Sequence, residues 1–202
     1  MKSTSRSCLV LFLVAVFSYP YPQISHAVSV ENPPGPAHRV EEVLRDLEAS
    51  NRSRSATAKS YVLTEEELNA YLAYRLQEES NPAVHRVSIR LGDGVFTTFA
   101  TFNPDEMRPS EGDWTGQVFQ GLFRGEQDLE ILGRLSTRAG QGAYEVQEAR
   151  LNGVPIPPTL VMSILSPAGK QLDPPFDPTQ PFPLPYGIQR IEVETGRVFI
   201  FT

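Results

Sequence analysis

Three glycine turns constrain this chain more than any other feature. Gly92-Asp93-Gly94, Gly140-Gln141-Gly142 and Thr195-Gly196 each separate two short segments in which apolar and polar residues alternate. That spacing is the signature of antiparallel hairpins. Val87, Ile89 and Leu91 alternate with Arg86, Ser88 and Arg90 before the first turn, and Val95–Phe102 follows it. Leu129, Ile131, Gly133 and Leu135 alternate with Asp128, Glu130 and Arg134 before the second, which leads into Ala143–Leu151. Ile188–Glu194 and Arg197–Thr202 flank the third. Residues 103–125 hold an acidic loop and then Trp114–Phe123.

Helical spacing is confined to three places. Val40, Val43, Leu44 and Leu47 repeat at i, i+3, i+4 and i+7 and predict a helix over Arg39–Ser50. Thr64 followed by Glu67 is a capping box, and Leu68, Tyr71, Leu72 and Leu76 mark the buried stripe of a helix over Glu65–Gln77, stopped by Asn81-Pro82. Pro157 and Pro158 open a third, Thr159–Leu165. The expected class is α+β: a mainly antiparallel sheet of about six strands packed against two or three helices.

Lys2 and Arg6, the unbroken apolar run Cys8–Phe17 and the small residues of Ser25-His26-Ala27 have the layout of a secretory signal peptide over residues 1–27. Ten apolar residues are too few to span a bilayer, which needs about 20. Retention of the leader as an anchor is the alternative to cleavage. A proline-rich tether follows over 28–38, then an amphipathic helix and polar linker over 39–60, then the α+β domain over 61–202. The leader has no acidic residue, so the formal charge of −6 becomes −8 without its two cations. That balance excludes a non-specific nucleic-acid binder, which needs a basic face. The one cysteine, Cys8, lies in the leader, so no disulfide or thiolate chemistry is available to the domain. An exported domain without cysteine fits the periplasm or cell envelope of a bacterium.

No reacting constellation is assembled by the sequence, and a non-enzymatic protein without cofactor is expected. His85 has no serine in a Gly-x-Ser-x-Gly elbow to activate. Glu145 and Glu148 are three apart, which on a regular strand puts them on opposite faces. Asp105, Glu106, Glu111 and Asp113 lack the oxygen spacing and glycine of a Ca²⁺ loop, and zinc lacks ligands. No phosphate loop is present, since the glycines at 140 and 142 do not precede a helix.

Apolar surface remains. Phe96, Ala100 and Phe102 share one face of their strand and Val95 and Phe99 the other, which predicts either burial on both sides or a helix on one side and a ligand on the other. The candidate lining comprises Phe96, Phe99, Phe102, Phe119, Phe123, Val161, Ile164, Leu165 and Tyr186. Residues 155–185 hold 10 of the 18 prolines, so this stretch should cross over the sheet rather than join a ladder. It reads either as a stiffened loop packing Phe176, Phe182 and Tyr186 on the core or as the rim of a groove.

Leu63–Leu72 (LTEEELNAYL), Leu151–Pro158 (LNGVPIPP) with the apolar helix after it, and Leu184–Ile188 (LPYGI) before the closing hairpin resemble segments of exported bacterial envelope proteins of the YpmS-like and LmeA-like type. Those are related in shape to tubular lipid-binding domains. The resemblance implies a curved sheet wrapping a helix, and a lipid or other apolar small molecule as ligand, with peripheral membrane contact. The other expectation is an envelope interaction module without a small ligand, docking a partner protein through a sheet edge or through residues 174–186. An open cleft between the Glu65–Gln77 helix and the sheet would suit the first, and close packing there the second.

Overall fold

The computed structural model describes residues 33, 35–53, 58–79, 83–106, 124–170 and 177–202, without the side chains of 79, 163, 164 and 167–170. The leader, most of the tether, Phe119, Phe123 and the rest of Trp114–Phe123 lie outside the described residues. The class is α+β, as expected, but the strands divide between two sheets rather than forming one.

The apolar stripe of the first helix forms α1 (Ala37–Ser53), which begins earlier than its periodicity suggests. Gly35, at φ 58°, turns the chain, and its carbonyl accepts the His38 amide at 3.1 Å. Setting residues 39–60 apart from 61–202 does not match how the core is built. Val40, Val43, Leu44 and Leu47 share one continuous apolar cluster with Leu63, Tyr71, Leu72, Ile188 and Ile200. Amphipathic spacing shows that a helix has a face to bury, not what buries it.

After β1 (Ser60–Thr64), the capping box starts α2 (Glu65–Glu79). The Glu67 amide donates to Thr64 Oγ1 at 3.2 Å, and the Thr64 amide donates to Glu67 Oε2 at 2.7 Å. Lys59 and Tyr61 tie β1 to α1. Asp46 accepts from Lys59 Nζ at 2.8 Å and from the Tyr61 hydroxyl, and Lys59 also donates to Ser50 Oγ at 3.0 Å.

The larger sheet runs β2 (Val84–Leu91), β3 (Phe96–Phe102), β4 (Gln127–Arg138), β5 (Gln141–Leu151) and β6 (Val154–Pro155), in that order. The sixth strand, β7 (Phe182–Pro183), pairs with the start of β5. Helix α3 (Pro158–Lys170) follows β6 and extends beyond the Thr159–Leu165 span. Helices lie against one face of this sheet. Cross-strand partners place Leu91, Phe96, Gly133 and Val146 in one row of that face, and Ile89, Thr98, Ile131 and Ala149 in the next. Arg86, Arg90, Thr97, Phe99, Glu130 and Arg134 point to the other face.

A β-bulge corrects the expectation for the paired glutamates. Leu132 pairs with Glu148 but Gly133 with Val146, so Gln147 is an extra residue. The bulge keeps Tyr144, Val146, Ala149 and Leu151 all on the covered face, despite the odd step from 146 to 149. It also brings Glu145 and Glu148 to the same, solvent-facing side. Gly133 has its own reason: a Cβ there would meet the Tyr144 ring at 2.5 Å, and that ring stacks on Phe96 with centroids 5.7 Å apart.

The second sheet has the order β1–β9–β8, with β8 (Arg190–Glu194) and β9 (Arg197–Phe201) forming the expected closing hairpin. Its β8 edge is bonded to the larger sheet. The Thr137 hydroxyl donates to the Ile191 carbonyl and accepts from the Ile191 amide, both at 2.8 Å. The amides of Gly94 and Gly140 donate to the Val193 and Gln189 carbonyls, each at 2.9 Å.

Candidate functional site

The described residues expected to line one groove are distributed over three environments: the main core, the opposite sheet face and the cluster beneath α3. Phe96 and Phe102 belong to the main core beneath α2 and α1 and are almost wholly buried. The space between α2 and the sheet is closely packed. Leu68, Tyr71 and Leu72 share a continuous cluster with Val87, Ile89 and Leu91, all buried. Polar bonds fix the same contact. Asn69 Nδ2 donates to the Ile89 carbonyl at 2.9 Å, and its Oδ1 accepts the Ile89 amide at 2.7 Å. Glu65 Oε2 accepts the Leu91 amide at 2.6 Å. Helix α2 thus covers the outer edge of β2 as well as apolar surface. The sequence marks Asn69 only as a helix residue, because its partner is a backbone twenty positions away.

Phe99 lies on the opposite face of the sheet, half-buried, with the Arg90 guanidinium 5.2 Å from its ring centroid. It neither joins Phe96 and Phe102 nor enters the core. Tyr186 is buried beside α1 in a one-turn 3-10 helix (Pro185–Gly187), held at φ 56°. Phe182 is buried with its ring where a Gly142 Cβ would stand. Among the described residues, the proline-rich stretch therefore packs its aromatics inward. Phe176 lies outside them.

Val161 and Leu165 do meet a shared surface. They are buried beneath α3 against Ile131, Val146 and Ala149 in a second apolar cluster, with Tyr144, Ile156 and Met162 at its border. The Ile164 backbone is in α3, but its side chain lies outside the described ones. The approach to this helix is open. Val154 is 62% exposed and Leu160 38%, and Pro155, Pro157 and Pro158 between them are exposed as well. No charged residue occurs from Leu151 to Gly169. This uncharged run was readable in the sequence; its exposure was not.

The polar clusters lie elsewhere. His85 Nδ1 is 2.9 Å from Glu126 Oε2, and Nε2 is 3.6 Å from Glu106 Oε2. The hydrogen bond to Glu126, supported by Glu106, holds the imidazole above its usual pKa, against a smaller desolvation effect. Its bonded partners are glutamates, not a serine. Asp105 accepts the Gly125 amide at 2.8 Å and Arg124 at 3.0 Å, and both hold its carboxyl low. Lys59 is held above its usual range by its bond to Asp46, so it is not a free base for Ser50. Among the described residues, no three His, Cys, Asp or Glu side chains are placed to hold a metal ion. Among them, too, no helix is long and apolar enough to cross a membrane.

No protein-family model, curated protein or solved structure matches this chain.

Proposed function

We propose that this protein is an exported, non-enzymatic domain of the bacterial envelope that binds a lipid or other apolar molecule along α3 and β6. The observation that carries this reading is the exposed, uncharged surface from Val154 to Leu160, continuous with the small cluster under Val161 and Leu165. The signal-peptide layout supports export, and the resemblance of Leu63–Leu72, Leu151–Pro158 and Leu184–Ile188 to envelope proteins supports the ligand class. Because the space beneath α2 is closely packed, this reading rests on the surface beside α3 rather than on the helix first expected to border the ligand.

Native mass spectrometry of the protein purified from its own envelope tests the reading, with a fluorescent long-chain fatty acid as a probe in solution. Retained lipid is expected. Val154→Ser with Leu160→Ser should weaken the fatty acid at least ~tenfold while changing stability by no more than about 0.5 kcal/mol, as for surface positions. Absence of lipid together with no fatty-acid binding would remove the reading.

The second reading, an interaction module without a small ligand, is favoured by two features, the close packing between α2 and the sheet and the outer edge of β1. The edge of β2 and residues Phe182 and Tyr186 are already used within the fold.

A further inference from the structure

Of the four outer edges of the two sheets, three are bonded at least in part to other described elements. Asn69 and Glu65 cover β2, β6 and β7 pair with the two ends of β5, and Thr137, Gly94 and Gly140 bond β8 to the larger sheet. The fourth edge is β1. The Thr202 amide donates to the Lys59 carbonyl and the Glu65 amide to the Gly196 carbonyl. With the β1–β9 register, these bonds turn the backbone groups of Tyr61 and Leu63 toward β9 and those of Ser60, Val62 and Thr64 outward. The Thr64 amide is taken by Glu67. The Val62 amide and carbonyl bond to no described residue, and its side chain is 43% exposed.

We propose that this edge pairs with the same edge of a second copy, antiparallel about a two-fold axis at Val62. Val62 offers one outward donor and one outward acceptor, so a two-fold axis there satisfies both in both copies. The register would set Lys59 across from Glu65 of the second copy, Ser60 across from Thr64, and Tyr61 across from Leu63, so no like charges meet. On the outer side, Val62 lies beside Phe199, and pairing extends that row into Val62 and Phe199 of the second copy. Two three-stranded sheets become one of six. The surface is separate from α3, so this inference stands independently of the ligand reading.

Sedimentation velocity of the purified protein over a concentration series tests the pairing. A reversible dimer is expected. Val62→Pro should abolish it and leave the thermal transition of the monomer in place, because an outward amide at an edge strand is dispensable to the fold. Should that variant not fold, Val62→Lys puts like charges on the axis and should weaken association at least ~tenfold. In a Cys8→Ser background, Val62→Cys should form a disulfide-linked dimer on mild oxidation, and Ser60→Cys alone should not. A protein monomeric at its highest soluble concentration would overturn the proposal. So would a dimer that survives Val62→Pro or Val62→Lys, or one that links through Ser60→Cys in place of Val62→Cys.

Discussion

Helices α2 and α3 lie against the same face of one sheet, yet they are held differently. Helix α2 shares a large core with α1 and both sheets and is bonded in register to β2 through Asn69 and Glu65. Helix α3 covers a small cluster through Val161 and Leu165, and an apolar border stays exposed beside it. A helix that seals a strand edge must match that strand's donors and acceptors, which requires polar side chains at fixed positions. A helix that covers only the face of a sheet needs apolar area, and apolar area is non-directional. An acyl chain could supply the same area. The contrast therefore supports a fixed half of the molecule around α2 and an adaptable one around α3.

The most damaging change should be Leu72→Ala, which opens a cavity in the main core and should cost ~2–5 kcal/mol in denaturant unfolding. Leu165→Ala deletes the same atoms beneath α3 and should fall at the low end of that range, since the smaller cluster borders exposed surface. Equal losses would break the comparison. Asn69→Ala comes next, at about 1–3 kcal/mol, because it leaves the amide and carbonyl of Ile89 without their partner. Amide exchange at Ile89 should accelerate with it, and unchanged exchange would show that α2 is not pinned by that side chain.

Phe99→Ser examines the face that no described helix covers. It should cost about 1 kcal/mol, well under Leu72→Ala, because Phe99 is half-buried under Arg90 rather than enclosed. A loss as large as that of Leu72→Ala would mean that this face is covered too. The smallest effect belongs to His85, at the β2 end remote from the Gly92–Gly94 turn. Its pKa is raised in the folded protein, chiefly by Glu126. The ion pairs thus stabilise the fold fully below the ordinary histidine value near ~6.5, and that contribution is lost as pH rises through the folded value. Because the ring is 38% exposed, the change should be about 0.5 kcal/mol or less. Unfolding of the protein and of His85→Gln should diverge at about pH 5.5, below the ordinary histidine value, and the difference should shrink toward about pH 8.5.

Elements built on local rules were legible in the sequence. The stripes of α1 and α2, the Thr64–Glu67 capping box and the glycine turns each involve residues close in the chain, where spacing alone sets which side chains share a face. The alternation in β2 and β4 likewise placed Val87, Ile89 and Ile131 inside. Candidate site residues were less legible. Burial of Phe96 and Phe102, exposure of Val154 and Leu160, and separation of Phe99 from both depend on what other elements cover.

Only the tertiary structure decided how these pieces combine. β1 pairs with β9 across more than a hundred residues, and α1 joins the core that its own stripe could not identify. The extra residue Gln147 reverses the alternation of β5 and carries Glu145 and Glu148 to one face. Asn69 and Thr137 become backbone partners for Ile89 and Ile191, 20 and 54 positions further along the chain. The physical reason is the same in each case. Periodicity reports that a surface must be buried, or a donor satisfied, but burial and hydrogen bonding are indifferent to where in the chain the partner lies. That choice was made by the packing of distant segments.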